Sequence, residues 1–291
     1  MKLYLIAAVL IINTAVAQPA TEATVPAYIL SAVSNTSRPQ SDRDRDADRK
    51  PAEVINFAGI KPGDKVADLM PGGGYFTRIF CNLVGEQGHV YAVTVPRKAS
   101  PSPSSTQSSA ASPIPAPVQS ASSSSASAAS TCNNVIRITL KAISRPAPEL
   151  HSDSDDPGWV YEYYQQTPAA ENFSVPEPLD VIWTSENYHD LHNAGFGSPD
   201  LRQVNKALFS ALKPGGVLII EDHAAEPKSG ARDTQTLHRI DPQWVKREVQ
   251  SAGFVFVAES TALRHADDTH ATKAHDMHDK TDRFLFKFRR P

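Results

Sequence analysis

The apolar residues of this chain come in short runs, and the segments between the runs carry helix or turn signals. Residues 66–69 follow the turn Lys61-Pro-Gly-Asp-Lys65 and read as a buried strand. Residues 75–84 place apolar side chains at helical spacing and stop at Gly85, a residue that accepts the left-handed conformation at a helix end. Further strands are predicted at 89–95, 135–140, 179–184, 217–221, 254–259 and 283–288. A helix over 201–212 is halted by Lys213-Pro-Gly-Gly. Another begins at Asp241 as N-cap with Pro242 in its first position, and Gly253 closes it. Residues 41–58 read as helical, with Ser41 and Asp44 at capping-box spacing, Asp/Arg pairs three apart, and Pro51 as a point of division; the Asp/Arg run reads as a solvated, self-neutralising helix face or, alternatively, as an anion-binding face.

Apolar strands alternating with helices predict an α/β fold whose sheet is mostly parallel, with helices on both faces. No helix pattern separates 254–259 from 283–288, so the last strand is expected to pair antiparallel, with 261–282 as a long excursion. Residues 96–131 break the pattern. They are Ser, Ala and Pro with few bulky side chains, cannot bury enough apolar area to offset chain entropy, and are expected to be disordered.

The start of the chain changes the picture of where it works. Lys2, the apolar stretch 3–12 and Ala15-Val16-Ala17 have the form of a secretory signal cut after Ala17. Half the length a spanning helix needs, this stretch is not expected to be a stable membrane anchor. The expected product is periplasmic or secreted: a segment at 18–37, then one domain at 38–291 interrupted by 96–131. In such a compartment Cys81 and Cys132 have two readings, a disulfide or a buried thiol at Cys81. The net charge of −3 is nearly balanced, and no nucleic-acid surface is expected.

Four motifs then carry a resemblance: Arg-Asp-Ala-Asp-Arg-Lys-Pro at 45–51, Asp-Leu-Met-Pro-Gly-Gly-Gly-Tyr-Phe-Thr at 68–77, Trp-Thr-Ser-Glu-Asn-Tyr-His-Asp-Leu-His at 183–192, and Leu-His-Arg-Ile-Asp-Pro at 237–242. With the stretch at 212–222 (Leu-Lys-Pro-Gly-Gly-Val-Leu-Ile-Ile-Glu-Asp), the chain resembles class I S-adenosylmethionine (SAM) methyltransferases, and within them a family of secreted bacterial methyltransferases. The resemblance covers roughly 38–95 and 179–291. It implies a Rossmann-like seven-strand fold and SAM as cofactor; the acceptor is expected to be a small molecule, with an exported substrate as the alternative, and the oligomeric state is left open. It implies that Asp68, Met70, Gly72, Gly73, Gly74 and Tyr75 form the cofactor turn, with Thr94, Thr184 and Ser185 beside it. Met70 stands where the first glycine of that turn is usual. Thr94 stands where an acid usually grips the ribose, and no carboxylate follows the third strand in Thr-Leu-Lys-Ala-Ile-Ser. A loosely walled adenine pocket is therefore expected, with Tyr161, Tyr163 and Tyr164 as a candidate stacking wall or as ordinary packing.

Methyl transfer asks for an aligned nucleophile and, where that is protonated, a base. The segment after the fourth strand is dense in polar groups, and His189 is the first candidate base, with Glu186, Tyr188 and Asp190 to orient it or bind acceptor. The alternative is that His189 and Asp190 only hold their loop. His223, His238 and Asp222 are expected on the same rim. No metal-ligand spacing accompanies them, and the four histidines at 265–278 read as a solvated lid. Two other functions stay open: a binding module with a decayed cofactor site, suggested by Thr94 and the export signal, and a metal-dependent hydrolase on the His/Asp rim.

Overall fold

The computed structural model describes residues 24–95, 132–140, 173–196 and 200–291. The expected signal segment, the low-complexity tract and the three candidate tyrosines lie outside the described residues. The rest builds one seven-stranded sheet in the order β3-β2-β1-β4-β5-β7-β6, with β1 Lys65–Leu69, β2 His89–Thr94, β3 Val135–Thr139, β4 Leu179–Ser185, β5 Leu212–His223, β6 Val255–Ser260 and β7 Arg283–Arg289. All neighbours run parallel except β7, which is antiparallel to both β5 and β6. This is the Rossmann-like methyltransferase topology expected above. Strand order reverses between β1 and β4, so a crevice opens at the carboxyl ends of these two strands.

Both faces of the sheet are covered, which is why consecutive residues of its central strands enter opposite cores: Val66 and Ala67 of β1, and Val181, Ile182 and Trp183 of β4. Phe284, Phe286 and Phe288 of β7 enter one core, and Leu285 between them enters the other. On the first face lie α6 (Leu201–Ala211) and α7 (Pro242–Ser251), through Val204, Leu208, Val245 and Val249. On the second lie α1 (Ala27–Val33), α4 (Pro51–Ala58) and α5 (Tyr75–Val84), through Ile29, Ile55, Ile79 and Phe80. Trp183 of β4 is wholly buried there, its ring 4.6 Å from Phe76 and 5.4 Å from Phe80. The cap at Asp241 is as expected, and Asp200, for which no cap was expected, starts α6 in the same way. Asp200 accepts from the backbone N–H of Arg202, and Asp241 from that of Gln243 with Pro242 following.

The segment at 41–58 differs from the expectation. It forms three short helices, α2 (Gln40–Arg43), α3 (Asp46–Arg49) and α4, and Pro39 rather than Ser41 precedes the first. Pro51 disfavours helix at the residue before it, and Lys50 takes the left-handed conformation at φ 44°. Nor is the Asp/Arg run a solvated face: Arg38, Asp42 and Arg49 are buried. Its charges pair across elements, Arg78 with Asp42 at 2.6 Å and Arg49 with Asp279 at 3.0 Å. The excursion after β6 is likewise pinned. Buried Asp268 takes Arg239 at 2.8 Å, and Asp282 takes Arg264 at 2.8 Å, so the segment is anchored at these points while His275 and His278 stay exposed. No helix among the described residues is long and apolar enough to cross a membrane.

Cys81 of α5 and Cys132 are joined by a disulfide, with Cα atoms 5.8 Å apart. The bond ties the approach to edge strand β3 onto the helix layer. Asn134 adds to this tie by donating to the carbonyls of Cys81 at 3.0 Å and Gly85 at 2.8 Å. With the cysteines separated by 51 positions in the sequence, chain-entropy arguments put the stabilisation at up to about 4 kcal/mol. Cys132→Ser is therefore expected to lower the unfolding midpoint in urea, and reductant is expected to lower that of the wild type equally. A midpoint unchanged by both would show that the bond contributes nothing.

Candidate active site

A cleft of about 780 Å³ opens at the carboxyl ends of β1, β2 and β4. Of the residues expected at a site, Asp68, Met70, Gly72, Gly73, Tyr75, Thr94, Ser185, Glu186 and Asp190 line it. Gly74 serves instead as N-cap of α5, at φ 79°. Thr184 is buried, its hydroxyl bound to Asn187. Tyr188 is also fully buried: its hydroxyl donates to Glu248 at 2.8 Å and accepts from Asn205 at 2.8 Å. His189 does not line the cleft and is only 1% exposed.

The glycine turn is held in a strained form. Met70 has φ 53°, a region costly for a residue with a side chain, which explains why glycine is usual at this point. Glu186, at the matching end of β4, has φ 58°. Asn187 staples the two ends together, donating from Nδ2 to the carbonyls of Met70 at 2.8 Å and Leu69 at 3.2 Å. Beyond Met70, Gly72 and Gly73 leave open space where a Cβ would point, so backbone faces the cleft bare.

Asp68 does two things at once. Its carboxylate accepts from the Thr77 hydroxyl at 2.5 Å and from the Thr77 backbone N–H, so it satisfies the first turn of α5. It is also buried at the floor of the cleft, and burial pushes its pKa up to about 7 against the opposing pull of Thr77 and Arg49. Thr94 is differently committed: its hydroxyl donates to the Ile138 carbonyl at 3.2 Å and lies 3.0 Å from that of Thr139.

The opposite wall is an ion-pair network. Arg283, wholly buried at the start of β7, donates from Nη1 to Glu186 at 2.7 Å and Glu221 at 2.9 Å, and from Nη2 to the carbonyls of Asp48 at 2.7 Å and Asp279 at 2.9 Å. Arg49 reaches Glu186 and Asp279 from the other side. Although burial opposes charge on Glu186, Arg49 and Arg283 keep its pKa below the usual range. Glu221 is pushed upward by burial and by Glu186 beside it. Asp279 is held at about 2: its burial opposes charge, but Arg45 and Arg49 outweigh that.

Behind Asp190 sits a histidine pair. His189 Nδ1 lies 2.8 Å from Asp222 Oδ1, and its backbone N–H donates to Asp222 Oδ2 at 2.7 Å. Burial works against charge on the ring, but Asp222 and Asp190 outweigh it and raise its pKa. His189 Nε2 faces His238 Nδ1 at 3.3 Å. His223 is buried neutral, with its pKa lowered to about 4 by burial, and Nδ1 is 2.7 Å from the Thr281 hydroxyl.

Arg45, Arg49, Asp42 and Arg78 also line the cleft. The Asp/Arg pattern at 42–49 was visible as a possible anion face, but its partner Asp279 lies far along the chain and no local signal points to it.

No family model matches the chain, and no curated protein does. Among solved structures it is similar to a SAM-dependent methyltransferase from Aquifex aeolicus, at 14% identity over 87% of this chain and 99% of that one, TM-score 0.46. It is similar also to a SAM-dependent methyltransferase from Mesorhizobium loti, at 13% identity over 82% and 97%, TM-score 0.44. A third is fibrillarin from Aeropyrum pernix with natively bound SAM, at 12% identity over 81% and 73%, TM-score 0.36. At these identities the likeness is one of fold alone.

Removing Arg283 would strand the buried Glu221 and leave Glu186 with Arg49 alone, and breaking a buried pair typically costs about 3–5 kcal/mol. Arg283→Gln is expected to destabilise the fold by that amount in chemical denaturation. The loss should shrink when Glu221→Gln is added, because the stranded charge is then gone. Additive losses would show that the pair is not coupled.

Proposed function

We propose that this chain is an exported SAM-dependent methyltransferase acting on a small-molecule acceptor. The observation that carries the reading is the position of the cleft: it lies where strand order reverses, floored by a bare glycine turn and a buried carboxylate at the end of β1. A SAM molecule suits that floor at its amino-acid end. Asp68 would face the ammonium, and the backbone of Gly72 and Gly73 would allow close approach. At the ribose end Thr94 is engaged with β3 and no acid replaces it there. Relative to a site with such an acid, affinity is expected to be lower by about 1.5–3 kcal/mol, the usual worth of hydrogen bonds to a charged group.

When bound, the cofactor supplies an electrophilic sulfonium methyl group. The chain's own part is then to align an acceptor and take its proton. Two of the candidate groups after β4 reach the cleft as carboxylates, Glu186 and Asp190. Glu186 is neutralised by Arg49 and Arg283 and held ionised, which makes it a poor base and a good brace. Asp190, which accepts from Asn193 at 2.9 Å, is the other carboxylate placed towards the acceptor. His189 acts behind it as a positioning residue, not as a group in contact with substrate.

Calorimetric titration with SAM and S-adenosylhomocysteine tests the reading. One-to-one binding is expected, weakened at least tenfold by Gly72→Val, whose side chain would enter the cleft. Absence of heat with either ligand at high micromolar concentration would overturn the reading in favour of a decayed site. The pH dependence follows from Asp68. Its folded pKa is raised, so it is largely protonated below about pH 7 and carries its charge above it. An ammonium ligand favours the charged form, so affinity is expected to rise with pH towards 7 and level off above. Asp68→Asn should flatten that profile; an unchanged profile would place the ammonium elsewhere.

A further inference from the structure

Three potential ligand atoms converge behind the acceptor side of the cleft. The distances are 3.3 Å from His189 Nε2 to His238 Nδ1, 3.6 Å from His189 Nε2 to Asp190 Oδ1, and 3.7 Å from His238 Nδ1 to Asp190 Oδ1. His189 and Asp190 sit on the 3-10 turn His189–His192 that follows β4. His238 comes from the loop after β5, brought back by the bridge between Ala224 and Ile240. We propose that these three side chains form a binding site for a single divalent transition-metal ion, with Zn²⁺ the ion the donor set fits best.

The spacing is the first argument. Zinc binds imidazole nitrogen and carboxylate oxygen at about 2.0–2.2 Å, usually in a tetrahedron, whose ligand atoms then stand roughly 3.4 Å apart. The observed triangle is within a few tenths of an ångström of that on every edge, and an ion near its centre needs no rearrangement of the backbone. Two imidazoles and one carboxylate are also a donor set that zinc and its neighbours prefer to calcium or magnesium.

The support around His189 is the second. Asp222 is wholly buried, and its two oxygens already accept the backbone N–H groups of His189 and His223, each at 2.7 Å. Nδ1 of His189 must therefore donate to it, which leaves Nε2 as the atom turned towards His238 and Asp190. A carboxylate that fixes tautomer and ring orientation in this way is the usual outer support of a metal-bound histidine. His275 stacks on the His238 ring, with centroids 4.3 Å apart, and steadies the second ligand.

Access is the third. The side chains of His238 and Asp190 keep 18% and 14% exposure, and Asp190 lines the cleft. A three-ligand ion leaves a position for water or for an anionic oxygen or sulfur of a bound acceptor. The site itself does not depend on the cofactor reading; only its use towards an acceptor does.

The test is a titration of the untagged, chelator-treated chain with Zn²⁺ alone, followed by calorimetry and by thermal melting. One ion per chain is expected, with a melting temperature that rises on binding. His238→Ala and the near-isosteric Asp190→Asn should each weaken binding at least tenfold, while the metal-free melting curves report whether each variant is folded. His265→Ala/His278→Ala, which removes two histidines outside the triangle, should bind as the wild type does. Failure of the wild type to bind, affinity unchanged in both triangle variants, or loss confined to the His265/His278 variant would each overturn the proposal. SAM binding measured on the same samples separates this outcome from the methyltransferase reading.

Discussion

Arg283 enters the interior at the first residue of β7 and must be neutralised there, because a lone buried guanidinium costs several kcal/mol. It is met by Glu221 from the neighbouring strand, by Glu186 from the end of β4, and by backbone carbonyls from α3 and from the excursion that precedes β7. Four parts of the chain are thus fixed relative to one another by one side chain. Arg49 then closes the network from the N-terminal side through Glu186 and Asp279. The short helices α2 and α3 contain only four residues each and could not hold their place by helix propensity. They are held by these charges, and they in turn form the roof of the cleft.

This arrangement divides the cleft electrostatically. On one side Glu186 and Asp279 are heavily compensated by arginine and stay ionised. On the other, Asp68 is desolvated with modest compensation, and its pKa near 7 marks a site short of positive charge. A ligand that carries a cation to Asp68 relieves that deficit. A ligand that carries only anionic groups would have to compete with Asp42, Glu186 and Asp279 for the arginines. The shape of the cleft admits many molecules, but its charge favours one with an ammonium at the floor.

Much of this architecture was legible in the chain. The strand and helix pattern, the cap at Asp241 and the reversed last strand follow from local signals whose period and punctuation tertiary packing did not override. The glycine turn was readable too, because only a few residues tolerate its backbone. What could not be read was pairing at a distance. The Asp/Arg run looked like a self-neutralising helix face, since i,i+3 neighbours were the partners in view, whereas Arg45 and Arg49 pair with Asp279. His189 looked like a base because its residue type suits that task, yet burial and Asp222 withdraw it behind Asp190. Burial of an individual polar side chain depends on what the fold lays over it, and no local spacing encodes that.

The strain at Met70 and Glu186 gives these pieces a common logic. Left-handed backbone at residues with side chains costs of order 1–3 kcal/mol each and persists only where the surroundings impose it. Here the surroundings are specific. Met70 donates its N–H to Val93 at 2.7 Å, Asn187 ties the two strand ends, and Arg49 with Arg283 clamps Glu186. The cleft floor is therefore set before any ligand arrives, and binding need not spend free energy on ordering it. The same reasoning extends to the edge of the sheet. A disulfide and Asn134 hold the approach to β3, and β3 engages Thr94. The Thr94 end of the cleft is thus held through a covalent tie.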